Sequence, residues 1–225
     1  MKTQVFSLLL AAVVVLSFTS CKKADLTTDK GKYSYAMGFD FGTSMKKNQV
    51  DLDVDSFMAA VEDALKGKES SLSPREAQQV MMNLQMNMQA KMMKSSEENK
   101  AKGDQFLADN KTKEGVKTTK SGLQYRVIKE GSGRKPKATS LVTAHYSGKL
   151  IDGTEFDSSY KRNQPAQFKL DQVIKGWTEG LQLMTPGSKY ELVIPSDLGY
   201  GPRGNQKIPG GSVLIFEVEL VSIDK

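Results

Sequence analysis

The sequence has one cysteine, one histidine and one tryptophan among its 225 residues. A single cysteine, Cys21, excludes an intrachain disulfide. A single histidine, His145, excludes metal sites and proton relays built from histidine clusters. With no Ser or Cys nucleophile evident beside it, His145 reads as a solvated structural residue. There is no glycine-rich phosphate loop and no clustered set of metal-ligating side chains. If the chain is an enzyme, its chemistry needs neither a covalent nucleophile nor a metal, and no cofactor is expected. Charge is not concentrated either. The formal net charge is +6, but no basic run exceeds Arg134-Lys135-Pro136-Lys137. Nucleic-acid binding needs a focused basic face and is therefore excluded as a partner class. Hydrophobic residues at 38% and charged residues at 26% suit a globular protein, and the length allows one large domain or two small ones.

Long apolar runs are lacking after the first twenty residues. Met1-Lys2 is a short basic start, and Phe6 to Leu16 is almost unbroken apolar sequence. Residues 1–20 thus read as a signal peptide, too short in its apolar part for a comfortable membrane span. Cys21 follows Phe18-Thr19-Ser20. A lone cysteine in this place resembles a bacterial lipobox, which implies cleavage before Cys21, thioether lipidation of it, and a periplasmic or cell-envelope protein anchored in the outer membrane by lipid alone. Residues 21–30 would then be the lipidated linker. The lipobox normally opens with an aliphatic residue where Phe18 stands, so an ordinary signal peptide with an incidental cysteine is the alternative.

Residues 31–118 have the periodicity of helices. A first short helix starts over Tyr35 to Gly42. Asp53 or Asp55 caps a second, whose apolar set Phe57, Ala60, Val61, Ala64 and Leu65 has helical spacing. Gly67 ends it. Ser73-Pro74-Arg75-Glu76 puts Ser at the N-cap, Pro at N1 and Glu at N3, a capping box. The third helix runs from about 74 to 110, interrupted only by Gly103, and would be about 50 Å long.

Residues 119–225 change character. Leu123 to Ile128, Leu141 to Tyr146, Gln167 to Leu170, Tyr190 to Ile194 and Val213 to Leu220 alternate as strands, with Gly, Pro, Asn and Asp between them. One short helix is predicted over Val173 to Met184. The fold class is α+β: an all-helical N-terminal region with a long connecting helix, then an antiparallel sheet wrapped around a short helix.

Two motifs invite sharper readings. Asp51, Asp53, Asp55 and Glu62 imitate a calcium loop, but its sixth position needs Gly and holds Ser56, so helix capping is the better account. Met81, Met82, Met86, Met88, Met92 and Met93 crowd one helix. Thioethers bind Cu(I), yet no Cys or His accompanies them. Met81, Leu84, Met88 and Met92 form a stripe suited to a partner helix, or to a pliable surface that holds unfolded proteins. Gly38 and Gly42, four residues apart, would permit close helix approach.

The second half carries a longer pattern. It comprises Val142 to Tyr146, Gly153 to Tyr160, Val173 to Gly180, Gly199-Tyr200-Gly201, Ile208-Pro209 and Leu214 to Leu220. In order and spacing this resembles the FKBP-type peptidyl-prolyl cis/trans isomerase domain over about residues 119–224. The first half, through Glu98 to Gly103, Phe106 to Asn110 and Gly115 to Tyr125, is similar to the helical N-terminal domain of the macrophage infectivity potentiator subgroup. The resemblance implies a homodimer joined through the N-terminal helices and an enzyme without cofactor. It implies that Trp177 floors the pocket under the proline ring, and that Ile174 N–H and the Tyr200 hydroxyl meet substrate carbonyls. Asp157 is expected to hydrogen-bond Tyr146 and to pair with Arg162. Phe156, Val173, Ile208 and Phe216 complete the substrate-binding set beside the catalytic Asp157, Tyr146 and Tyr200. The chain departs from many members in having Ala166 just after Asn-x-Pro, which widens the rim and bears on macrolide affinity, and in its polar segment 202–207.

An apolar pocket suits this reaction. The amide barrier, about 18–20 kcal/mol, comes from resonance that loads the carbonyl oxygen in the planar state and is lost on twisting. Water favours the planar form more than an apolar pocket does, so such a pocket favours the twisted one. The expected clients are proline-containing unfolded or exported proteins. The alternatives are a non-enzymatic chaperone or an envelope-binding lipoprotein with a degenerate site.

Overall fold

The computed structural model describes residues 24–224 except Gln49. The expected signal peptide and Cys21 lie outside the described residues. The chain divides into two compact units after Ser71.

The first unit holds α1 (Asp29–Lys47) and α2 (Val54–Leu65). α1 is longer than the expected stretch from Tyr35 to Gly42, because Thr28 caps it by accepting from Gly31 N at 3.0 Å and Lys46 and Lys47 complement its C-terminal dipole. Asp53 caps α2 through Ser56 N, and Gly67 follows it with φ +71°. Ser56 is thus a helical residue: Asp53 caps α2, Asp55 lies in its first turn, and the helix rather than a calcium loop runs through Glu62. Phe41 stacks on Phe57 at 4.7 Å, but neither helix contains a buried residue. Tyr33, Tyr35, Met37 and Phe39 are all at least half exposed.

The second unit begins with α3 (Pro74–Lys111). Its 38 residues make it about 57 Å long. The capping box forms as expected, with Ser73 and Glu76 exchanging bonds. The strands follow: β1 (Val116–Thr118), β2 (Gln124–Lys129), β3 (Leu141–Leu150), β4 (Glu155–Ser158) and β5 (Ala166–Lys169), then the short helix α4 (Lys175–Leu181), then β6 (Lys189–Ile194) and β7 (Leu214–Ile223). All pairings are antiparallel, in the order β1-β2-β6-β7-β3-β4, with β5 also on β3. β1 and β4 were not anticipated, and α4 is shorter than Val173 to Met184. Val173 is extended, with ψ 175°, so the helix cannot start before Ile174 caps it.

One face of the sheet is lined by Val142, Ala144, Tyr146, Leu192, Ile194, Leu214, Phe216, Val218 and Leu220, which form one buried cluster with Trp177 and Leu181 of α4. α4 lies close on β6 because Gly176 and Gly180 face it. A Cβ there would come within 2.4 Å of Ile194 and 2.7 Å of Leu192. α3 belongs to this unit and not to the first. Asn110 Nδ2 donates to Gln124 Oε1 at 2.9 Å in a buried setting, and Gln124 Nε2 donates to the Leu107 carbonyl at 2.8 Å. The change from helical to strand pattern near Thr118 is therefore not where compactness divides.

Candidate active site

β3 presents Tyr146 to the core face, since alternate residues of a strand share a face. β7 presents Phe216, β5 presents Phe168 and α4 presents Trp177. The four rings meet. Trp177 is approached edge-on by Tyr146 at 5.2 Å, Phe168 at 4.9 Å and Phe216 at 5.3 Å, with interplanar angles of 86°, 72° and 78°. Phe156 of β4 meets Phe216 edge-on at 5.4 Å. Edge-to-face contact places positive ring edges on negative faces and fixes ring orientation. The Trp177 Nε1 is buried with no hydrogen-bond partner among the described residues. Such groups are uncommon in stable cores.

Tyr146 joins this aromatic set to a charged one. Its hydroxyl donates to Asp157 Oδ2 at 2.6 Å and accepts from Arg162 Nη2 at 2.8 Å. Arg162 Nη1 reaches Asp157 Oδ1 at 2.7 Å, and Ser158 N donates to the same oxygen at 2.9 Å. β4 carries Asp157, and the 3₁₀ turn Tyr160–Arg162 that follows turns Arg162 back onto it. Burial pulls the Asp157 carboxyl upward, but the bonds from Tyr146 and Arg162 outweigh it and hold the group below the usual carboxylate range. Asp157 is thus ionised at neutral pH. Burial, then the bond to Asp157, raises the Tyr146 phenol, so Tyr146 stays protonated as a donor.

Of the other expected site residues, Ile208 is buried in the core cluster, while Phe156, Val173 and Ile174 pack half-buried against it. Ile174 N has no hydrogen-bond partner among the described residues. Tyr200 is half-exposed. Burial and the negative charge of Asp157 raise its phenol, which sets the two groups within electrostatic reach. Ala166 packs half-buried beside the core. Phe168 was not singled out from sequence. Its signal was an aromatic on the inward phase of the strand from Gln167 to Leu170. His145 differs from the solvated residue expected. Its Nδ1 lies 3.0 Å from Ser159 Oγ and its ring stacks on Tyr160 at 4.8 Å. Ser159 is fully buried and also accepts from Tyr146 N at 2.8 Å. The pair therefore holds backbone, not a reaction. Among the described residues no group of three or more His, Cys, Asp or Glu side chains could hold a metal ion.

The chain that carries these residues is matched among known proteins over most of its length. A family model described as FKBP-type peptidyl-prolyl cis-trans isomerase matches residues 132–221, and one described as the domain amino terminal to it matches residues 30–127. The chain is 42% identical over 97% of its length to the outer membrane protein MIP of Legionella longbeachae, 97% of which is covered. It is 41% identical over 96% of its length to the FKBP-type isomerase FkpA of Aeromonas hydrophila, 93% of which is covered. The crystal structure of FkpA from Escherichia coli superposes with a TM-score of 0.64 at 40% identity, covering 89% of this chain and 99% of that one. The chain belongs to the FKBP-type peptidyl-prolyl cis-trans isomerases, enzymes that interconvert the two forms of an Xaa-Pro bond.

Proposed function

We propose that the Xaa-Pro bond is twisted in the pocket over Trp177, with the prolyl ring against Trp177, Phe156, Phe216, Val173 and Ile208. The observation that supports this most directly is the double membership of Tyr146, which is both a wall of the aromatic cluster and the hydrogen-bond donor to Asp157. The apolar walls favour the twisted amide, whose carbonyl has lost its resonance charge. Ile174 N–H and the Tyr200 hydroxyl anchor the flanking substrate carbonyls and hold the chain while the bond rotates. Asp157, kept ionised and fixed by Arg162 and Tyr146, orients the surroundings of the rotating carbonyl. No proton transfer, nucleophile or cofactor is required. Catalysis should therefore persist in a chelator. Asp157→Ala and Trp177→Ala should each slow cis/trans exchange of a short Xaa-Pro peptide, and full activity surviving in both variants removes this site assignment.

The clients we assign are exported, proline-containing proteins in the cell envelope. The name of the Legionella relative, an outer membrane protein, supports that location, as does the signal-like start. Lipid attachment at Cys21 is the anchor we assign, and it predicts that Cys21→Ala moves the protein from the detergent phase to the aqueous phase. We assign residues 31–118 to dimerisation and 119–225 to isomerisation. Exposed Tyr33, Tyr35, Met37 and Phe39 support the former, as does the open space at Gly38 and Gly42. A twofold dimer is the commonest way to cover such a surface.

A further inference from the structure

The second half of α3 is bound to the loop that carries Tyr200 and Ile208. Ser96, Gly103 and Asn110 are the three buried residues of α3. They recur every seven residues and so share one helix face. Asn99, one turn from Ser96, donates from Nδ2 to the Gly210 carbonyl at 2.9 Å in a part-buried setting. A Cβ on Gly211, whose φ is +73°, would lie 2.1 Å from the Ser96 carbonyl, and a Cβ on Gly103 would lie 2.7 Å from Val213 Cγ2. Helix and loop are thus in backbone contact.

That loop runs from Tyr200 to Val213. Its turn Gly201–Arg203 is closed by Gly211 N donating to the Gly201 carbonyl at 3.0 Å. Asn205 N donates to the Ile208 carbonyl at 2.8 Å, and Asn205 Oδ1 accepts from Ile208 N at 2.9 Å. Displacing Gly210 and Gly211 would therefore displace Gly201, next to Tyr200, and Ile208, two residues away. We propose that Asn99 and Gly103 are positioning residues for isomerisation: through Gly210, Gly211 and Val213, α3 sets where Tyr200 and Ile208 stand over the pocket. The inference rests on the reading that these two residues meet substrate. It makes the long helix part of the catalytic unit and not only a connector.

The test uses the full chain and peptides that differ in the residue before proline. Asn99→Ala should lower kcat/KM by roughly fivefold, the size of one part-buried hydrogen bond, and should change the ranking of the peptides. The thermal midpoint of the catalytic unit should fall by no more than the loss of one hydrogen bond, about 1 kcal/mol, and the emission of Trp177, the only tryptophan, should stay as in the parent. Gly103→Ala should do the same by pushing on Val213, and Val213→Ala should restore activity in the double variant, a coupling that independent sites do not show. Unchanged kcat/KM in Asn99→Ala overturns the proposal, even where Gly103→Ala fails to fold. So does strict additivity of Gly103→Ala with Val213→Ala. Asp157→Ala run in parallel separates the two readings. Full activity there removes the site itself, whereas loss there with no effect at Asn99 removes only the role of α3.

Discussion

The unit before Leu72 and the unit after it solve opposite problems with the same chemistry. Residues 119–224 bury most of their large apolar side chains: Leu123, Leu170, Leu181, Met184, Leu192, Ile194, Leu214 and Leu220 are essentially inaccessible, whereas Val80, Met81, Met86, Met92 and Met93 of α3 are more than half exposed. α1 and α2 bury none, and Leu65 is 85% exposed. The difference lies in layering. A sheet with a helix across it encloses a face, while two helices of 19 and 12 residues enclose too little volume to remove their own apolar area from water. The same hydrophobic effect that completes one unit within the chain leaves apolar surface exposed on the other, which is the surface the proposed dimer would cover.

The sharpest way to break this comparison is to remove the first unit. A chain lacking residues 22–71 should be monomeric by light scattering, should keep its rate on short peptides, and should lose efficiency in refolding a proline-limited protein, where a second site at raised effective concentration helps. A variant that stays dimeric, or refolds proteins as well as the parent does, contradicts it. Next in size are single truncations. Leu192→Ala should cost about 2–5 kcal/mol in the denaturant midpoint of the catalytic unit. Phe39→Ala should leave that midpoint within about 0.5 kcal/mol and appear instead as dissociation on dilution. A smaller effect is expected at Arg162→Lys. The charge stays, but one ammonium cannot bridge Asp157 Oδ1 and the Tyr146 hydroxyl as the guanidinium does. Stability should move by less than about 1 kcal/mol, since the pair is partly exposed, while kcat/KM should drop by roughly fivefold, or about 1 kcal/mol of barrier. Equal kinetics would show that the bridge is dispensable.

Legibility in the sequence follows the same division between local and distant causes. The start of α3 was readable because Ser73, Pro74 and Glu76 act within one turn. Strands β2, β3, β5, β6 and β7 were readable because alternation is local. β1 and β4, three and four residues long, exist only through their partners β2 and β3, so no local signal announces them. The docked face of α3 was hidden for another reason. Ser96, Gly103 and Asn110 are small or polar, and their burial comes from close backbone approach, which hydrophobic periodicity does not register. Only the seven-residue spacing could have disclosed it. Asp157 and Arg162 were placed together through family resemblance, and their geometry with Tyr146 depends on β3 and β4 pairing. His145 lacked a visible partner because Ser159 lies beyond the turn into β4.

The mildest perturbation is protonation of Asp157. Its carboxyl is held below the usual range in the folded chain, so the folded state binds its proton less readily than the unfolded state does. The stability this contributes is fully present above the unfolded-state pKa of an aspartate and is lost as pH falls through the folded-state value. The side chain is 38% exposed, so solvent screening keeps the contribution small. An acid titration of the thermal midpoint should therefore fall slightly more steeply below about pH 4 for the parent than for Asp157→Asn, with the two curves parallel at neutral pH. Peptide isomerisation should decline over the same acid window in the parent, because the protonated carboxyl no longer accepts from both Tyr146 and Arg162. Dimer dissociation measured across the same window should not follow the loss of activity, because the Asp157 bridge belongs to the second unit while the proposed dimer surface of Tyr33, Tyr35, Met37 and Phe39 belongs to the first. A dissociation curve that tracks the loss of activity would mean that the two units are coupled through the site, and the comparison would have to be redrawn.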